Sequence, residues 1–385
     1  MNTVPDRQAV GSVPGVMLRG GTSRGLFLRE ADIPTTDPGL RDALILELFG
    51  SPDPLQLCGI GGGKSHLSKV MIVEPSNRSD ADVDYTFAQV GTTDAEVDWS
   101  RNNGNLGSAV GAYAIMEGLV EAHEPETKVV LYNTNTGTYI EQLIPVEGGE
   151  PAIYGNYAID GVPGTGAKIQ ATFIEPGGAV TGSLLPMGET ISTFTVADQE
   201  IEASVVDSGT LGVAFRANDL GLTGTELPAE LAENHRVMNI IEEVRETIRS
   251  ELDLTTAKRS NPSAAIVSKP QSYTCSVDKS VSADEIDITA RFISLQPHHA
   301  ISLTGGMSLA SSAKLHGTIP NEVITSDESL TAIGHPKGTI EIDVDVVTQD
   351  GESTVNGVTY WRTFNPVFHG NVYYRYINGL EALRE

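Results

Sequence analysis

Residues able to move a proton or hold an anion gather in a few short stretches of the chain. Residues 58–69 read CGIGGGKSHLSK, a glycine-rich turn that carries Lys64, Ser65, His66 and Lys69 into the apolar run KVMIV. A lysine at the start of a buried strand is costly unless it is paired or put to use. Burial disfavours the ammonium form, so a buried Lys69 would be a usable base. A lysine whose amine snorkels out at the strand end would do nothing. The glycines before Lys64 invite a phosphate-loop reading. That motif needs glycine where Cys58 stands, so the match fails by one place.

Residues 19–25 read RGGTSRG. Backbone N–H groups beside glycine, the hydroxyls of Thr22 and Ser23 and the guanidinium of Arg24 suit a carboxylate or phosphate. A solvated hairpin turn would have the same composition. The electrostatics favour binding. Within 15–70, Arg19, Arg24, Arg29, Arg41, Lys64 and Lys69 balance the acids, in a chain whose formal net charge is −26. An anionic substrate needs such local relief from the global field. Residues 297–300 read PHHA. Without HExxH or carboxylate spacing, these histidines point to a hydrogen-bonding or anion-contacting role of His299, or to a structural one, rather than to a metal site. A second His/Lys turn, GHPKG, lies at 334–338.

The elements that must position these groups are mostly short β-runs separated by Gly, Pro, Asn and Asp. The clearest are 15–28, 69–73, 84–89, 128–131, 139–146, 168–173, 200–206, 264–267, 287–293 and 339–347, rich in β-branched residues or alternating. Four helices are expected. Two are amphipathic, at Pro38–Phe49 and 227–252. The other two, 105–119 (NLGSAVGAYAIMEGL) and 300–315 (AISLTGGMSLASSAKL), are built from small and apolar residues. Helices apolar all round are buried. Each follows a polar turn late in its half of the chain, which reads as an internal duplication. The expected class is α+β, with two similar β-rich domains each wrapped around a buried central helix. The division is expected at 1–185 and 186–385, with a last strand able to cross back. The N–H groups at the start of each buried helix could attract an anion, or the small residues could serve close packing alone.

Composition bounds the rest. A chain of 385 residues with 39% hydrophobic content can bury a proper core without staples. Cys58 and Cys275 cannot form a disulfide framework. No apolar run is long enough to span a membrane, and Met1 to Pro14 shows no secretory pattern, so a cytoplasmic protein is expected. The acidic balance argues against nucleic acid as a partner. Only 9 of the 25 basic residues are Lys. An acid-rich, lysine-poor surface suits molar salt, where a Debye length of about 3 Å screens self-repulsion.

RGGTSRG, GIGG followed by SKV, WSRNNGNLGSAVG, DGVPGTGAKI, SLLPMG, PHHAISLTGG and GHPKG occur in this order. In this set the chain resembles the 2-methylaconitate / 3-methylitaconate isomerase family, which includes 4-oxalomesaconate tautomerases, from about Gly15 to about Tyr374. The resemblance implies a diaminopimelate-epimerase-like fold with the site in a cleft between two domains. It implies a double-bond shift by allylic 1,3-proton transfer in a small unsaturated di- or tricarboxylate such as an aconitate derivative, with no metal and no organic cofactor. It also implies a small anionic carboxylate as partner and no membrane, and leaves a homodimer open.

The family's catalytic pair is a Lys in the SKV strand and a Cys in an NCGN motif. The Lys falls on Lys69, and the Cys position is Asn103. An amide cannot transfer a catalytic proton at useful pH. Three readings stay open. Lys69 moves the proton on one face by itself while Asn103 holds a carboxylate or enolate oxygen; Ser100, His66 or His299 supplies a second proton; or the protein binds the acid without this chemistry. Racemases of the same fold need two opposed acid/base groups, commonly thiols, which are missing here. The substrate would be held by Thr22, Ser23, Arg24, Lys64, Ser65 and His66. Asn102, Gly104 and Asn105 would help at the first helix start, and His299, Ser302, Gly305 and Gly306 at the second.

Overall fold

The computed structural model describes residues 10–100, 102–254, 261–377 and 379–383. Most of the N-terminal stretch read for an export signal, and Arg101 of the WSRNNGN motif, lie outside them. The chain divides into two compact units. One runs to Ala171 and resumes at Arg362; the other is Thr172–Trp361. The division expected from the sequence was drawn at 185/186.

In the first unit β1 (Gly11–Gly20) and β2 (Ser23–Arg29) form an antiparallel hairpin. Helix α1 (Pro38–Phe49) follows within its expected bounds. Asp37 caps it by accepting from the Leu40 N–H at 2.9 Å, Pro38 opens it, and Gly50 closes it with φ 74°. Strand β3 (Lys69–Pro75) runs parallel to β2, and β4 (Val83–Val90) runs antiparallel to β3. The buried helical segment comes next, and then Glu126–Asn133, parallel to β4, and Thr138–Glu147, antiparallel to that. A last strand, Phe364–Tyr374, returns to this unit beside β1.

The buried segment is two pieces, α2 (Gly104–Gly107) and α3 (Val110–Met116), rather than one helix over 105–119. The chain tightens at the junction, where the Ala109 N–H bonds back only three residues, to Leu106, and the Ser108 hydroxyl bonds Asn105 O at 2.7 Å. Such local bonds compete with the regular helix ladder.

The second unit repeats the order of the first. Gln199–Asp207 and Leu211–Arg216 form a hairpin, with Ser192–Val196 added at its outer side. Ser263–Ser268 is parallel to the second hairpin strand, and Ile288–Ile293 is antiparallel to that. A buried helix follows, then Leu330–His335 in parallel and Gly338–Gln349 antiparallel, joined by Glu352–Arg362. Hairpin, helix, parallel strand, antiparallel strand, buried helix and parallel strand therefore recur in sequence. This is the α+β class of two similar β-rich domains, each holding a central helix.

Two more of the expected helices depart from their bounds. The stretch 227–252 is broken into α4 (Pro228–Glu233) and α5 (His235–Glu251) at Asn234, whose side chain accepts from the Val237 N–H. The buried helix α6 spans Leu303–Lys314 and starts three residues late. Ser302 is its cap, bonded to the Gly305 N–H. A short α7 (Ile319–Val323) follows it. No helix among the described residues is long and apolar enough to cross a membrane.

Candidate active site

Side chains alternate across a strand. On β3, Val70 and Ile72 join the cluster built on Leu44, Ile45, Leu48 and Phe49 of α1. Lys69 and Met71 therefore point to the opposite face, where α2 and α3 lie. Lys69 is only 6% exposed. Its strand partner is Gln89 on β4, and its Nζ donates to Gln89 Oε1 at 2.6 Å. The Gln89 amide nitrogen in turn donates to the carbonyls of Ser68 at 2.7 Å and Ser65 at 3.0 Å. With both ends engaged, the amide has one orientation. The Phe87 ring centre lies 5.2 Å from Nζ.

The glycine-rich turn before β3 is organised by buried Gln56. Its Oε1 accepts from the Gly63 N–H and the Ser68 hydroxyl, and its amide donates to Ser51 Oγ. A Cβ on Gly59 would stand 2.1 Å from the Phe49 carbonyl carbon. The glycines thus serve close packing, and the turn leads into one 3-10 turn and a strand, without the helix that a phosphate loop needs. Lys64, Ser65 and His66 stand exposed on that 3-10 turn.

The β1–β2 turn lies on the start of α2. A Cβ on Gly20 would come within 2.6 Å of Asn105 O, and one on Gly25 within 2.6 Å of Lys69 O and 2.5 Å of Leu106 Cδ2. Glycine at these places lets the hairpin, α2 and Lys69 meet. Arg19 is a tie: its guanidinium donates to the carbonyls of Gly21 and Thr363 and to Thr363 Oγ1, each at 2.9 Å, and burial lowers its pKa. Arg362 Nε donates to Asn105 Oδ1 at 2.9 Å. Arg24 differs, for its Nε is buried without a hydrogen-bond partner. Ser23 is buried and Thr22 exposed.

Asn103 is the cap of α2, with Oδ1 accepting from the Leu106 N–H at 2.8 Å, and its own N–H donates to Asn102 Oδ1 at 2.7 Å. Capping takes the carbonyl end and leaves its amide NH2 as the donor. Gly104 is buried behind it. Ser100 is exposed and its hydroxyl donates to Asp98 at 2.6 Å. With a single turn in α2, a helix-dipole contribution to anion binding is small here.

In the second unit, Ser302, Gly305 and Gly306 form the head of α6. A Cβ on Gly305 would overlap the Phe292 ring at 1.9 Å. His299 is exposed, whereas His298 is structural: its Nδ1 accepts from the Ala300 N–H at 3.1 Å, its ring meets Phe292 edge to face, and burial lowers its pKa. Gln56, Gln89 and Arg362 were not singled out from the sequence. The available signal was a glutamine inside the apolar run FAQV, which needs a buried partner.

Residues 11–375 match the family described as PrpF protein. The chain belongs to the PrpF family. Among PrpF relatives it is similar to the 3-methylitaconate isomerase of Eubacterium barkeri, at 38% identity over 94% of this chain and 97% of that protein. It is also similar to the 2-methyl-aconitate isomerase of Cupriavidus necator, at 32% identity over 93% and 96%. The crystal structure of a methylitaconate-delta-isomerase matches with a TM-score of 0.85 and 36% identity, covering 95% of this chain and 96% of that one. This PrpF chain thus shares both its fold and nearly its full length with named isomerases.

Proposed function

We propose that this PrpF protein is an isomerase that shifts a carbon–carbon double bond in a small unsaturated di- or tricarboxylate, with Lys69 as the base. One observation carries the reading. The Lys69 amine is buried on the α2 side of the sheet, and a neutral amide acceptor holds it. In its neutral form Nζ takes the allylic proton from the γ-carbon. The electron pair delocalises into the conjugated carboxylate as a dienolate, and the same proton returns to the α-carbon. No net redox change occurs and no co-reactant is consumed.

A one-base path agrees with the chemistry available at the cap. The Asn103 amide is a poor acid and a poor base, and its Oδ1 already caps α2. Its NH2 can donate to a carboxylate or enolate oxygen. The unpaired Arg24 Nε, with Ser23 and Thr22 beside it, is suited to a substrate carboxylate. The relatives named for methylitaconate and methyl-aconitate support this substrate class.

Proton NMR in D2O tests the proposal. cis-Aconitate, 2-methyl-cis-aconitate, methylitaconate and 4-oxalomesaconate are offered separately to the protein. Conversion of at least one acid, with little deuterium in the early product, is expected. Binding without conversion of any acid would overturn the isomerase reading.

We also infer a protein adapted to high salt, from a net charge of −26 and the scarcity of Lys. Screening of self-repulsion is the cause. The melting temperature should therefore rise between about 0.1 and about 2 M KCl, over which the Debye length falls from ~10 Å to below ~3 Å. A flat or falling curve in calorimetry would remove this inference.

A further inference from the structure

We propose that Gln89 is a positioning residue, which aims the Lys69 amine through a neutral acceptor. The inference rests on Lys69 being the base. Three observations meet at Gln89. It is opposite Lys69 in the β3–β4 register. Its Oε1 receives the amine at 2.6 Å. Its amide nitrogen is locked onto the Ser65 and Ser68 carbonyls, so a rotated amide would set oxygen against oxygen. The two carbonyls therefore decide which atom faces Lys69, and Gln89 links the turn that carries Ser65 and Ser68 to the base.

The choice of an amide has a chemical consequence. A carboxylate in the same place would stabilise the ammonium form, which cannot take a proton; an amide fixes the nitrogen's place with less bias towards that form. Among the described residues, the charged and titratable groups on the neighbouring elements are few. Arg24 and Arg29 are on β2, the latter paired with Val73 four residues along β3, and Lys64 and His66 are on the turn that leads into β3. The stretch 87–90 of β4 brings none, and neither does α2. Glu74 and Asp84 pair with each other at the far end of β3 and β4, five residues along and so about 16 Å from Lys69. Asp98, paired with Gln89 from the short strand Val97–Asp98, bonds Ser100. A Gln89→Glu exchange would thus add a carboxylate directly at the amine.

The test needs a readout that a merely structural glutamine would not move. Protein labelled with 13C at lysine Cε gives one signal for each of its 9 lysines, and the signal lost in Lys69→Met identifies Lys69. In Gln89→Glu the Lys69 titration midpoint should rise by about 1–3 pH units relative to the native protein. The rising limb of kcat/KM against pH should move up with it. In Gln89→Met, which keeps the volume but not the acceptor, the midpoint should not rise. There kcat should fall about 100-fold, as a misplaced reacting group predicts, with KM within about threefold.

A Lys69 midpoint that is the same in the native and Gln89→Glu proteins would overturn the proposal. If Gln89→Glu does not fold, the Met variant decides alone, and an unchanged kcat would overturn the proposal. Failure of the isomerase reading would look different. The lysine titration would still respond to Gln89→Glu, while the native protein converted no acid.

Discussion

A Lys69→Met protein is expected to fold and to have lost its isomerase activity, with kcat down by about 100- to 10,000-fold, the range of a removed general base. Methionine nearly matches the lysine stem in volume, so the space between β3, β4 and α2 stays filled. Two effects on stability oppose one another. Gln89 Oε1 loses the donor now at 2.6 Å, and an unsatisfied buried acceptor costs about 1–3 kcal/mol. Against this, a side chain that is 6% exposed no longer has to keep an amine out of bulk water. The melting temperature should therefore change by only a few degrees, and the loss of activity can be assigned to chemistry rather than to unfolding. Residual kcat within about tenfold of native would mean that another group moves the proton, and would return Ser100, His66 and His299 to consideration.

The reach of the sequence can be judged from particular elements. α1 was legible to its ends because its signals are local: an Asp cap, a Pro at the first position and a closing Gly. The apolar run of β3 and the two small-residue helices were legible because full burial leaves a composition without a polar face. The breaks at Asn234 and Ser108 were not. Helical spacing continues across both, and a short polar side chain bonding the backbone decides the matter locally. A last strand able to cross back was expected from the sequence, but no local pattern encodes which strand Phe364–Tyr374 pairs with across most of the chain.

Around the base, Lys69 stood out because a charge heading an apolar strand is anomalous. Gln89 and Gln56 did not, because glutamine on a strand or in a turn is ordinary until its partner is known. Their roles depend on register and on a turn folded back beside β3. Arg19 and Arg24 show the limit from the other side. They sit five residues apart in one motif and pair across the hairpin, yet one spends its donors on Gly21 and Thr363 and the other keeps a buried Nε unpaired. Residue type suggested an anion site for the motif, and only the hydrogen-bond partners tell which guanidinium is available for it.

The hairpin motif also leads to the second large effect, which separates two glycines near the same helix. Gly25→Ala should lower stability by about 1–3 kcal/mol, the cost of overpacking, and lower kcat by about 100-fold. The added Cβ would stand 2.6 Å from Lys69 O and 3.1 Å from Lys69 Cβ. Leu106 Cδ2, at 2.5 Å, can rotate away, but the carbonyl is backbone and can retreat only if β3 moves with the base attached. Gly107→Ala adds the same methyl group to α2. Its nearest neighbour is Tyr85 OH at 3.5 Å, an ordinary contact, and alanine is favoured over glycine in a helix by up to about 1 kcal/mol. That variant should keep its activity and be as stable as the native protein or more so. Calorimetry and steady-state kinetics on the pair decide the matter. Equal losses in both variants would mean that any added bulk around α2 is harmful. Native behaviour in Gly25→Ala would mean that the hairpin is free to move off β3, and that the close approach at Gly25 does not set the position of Lys69.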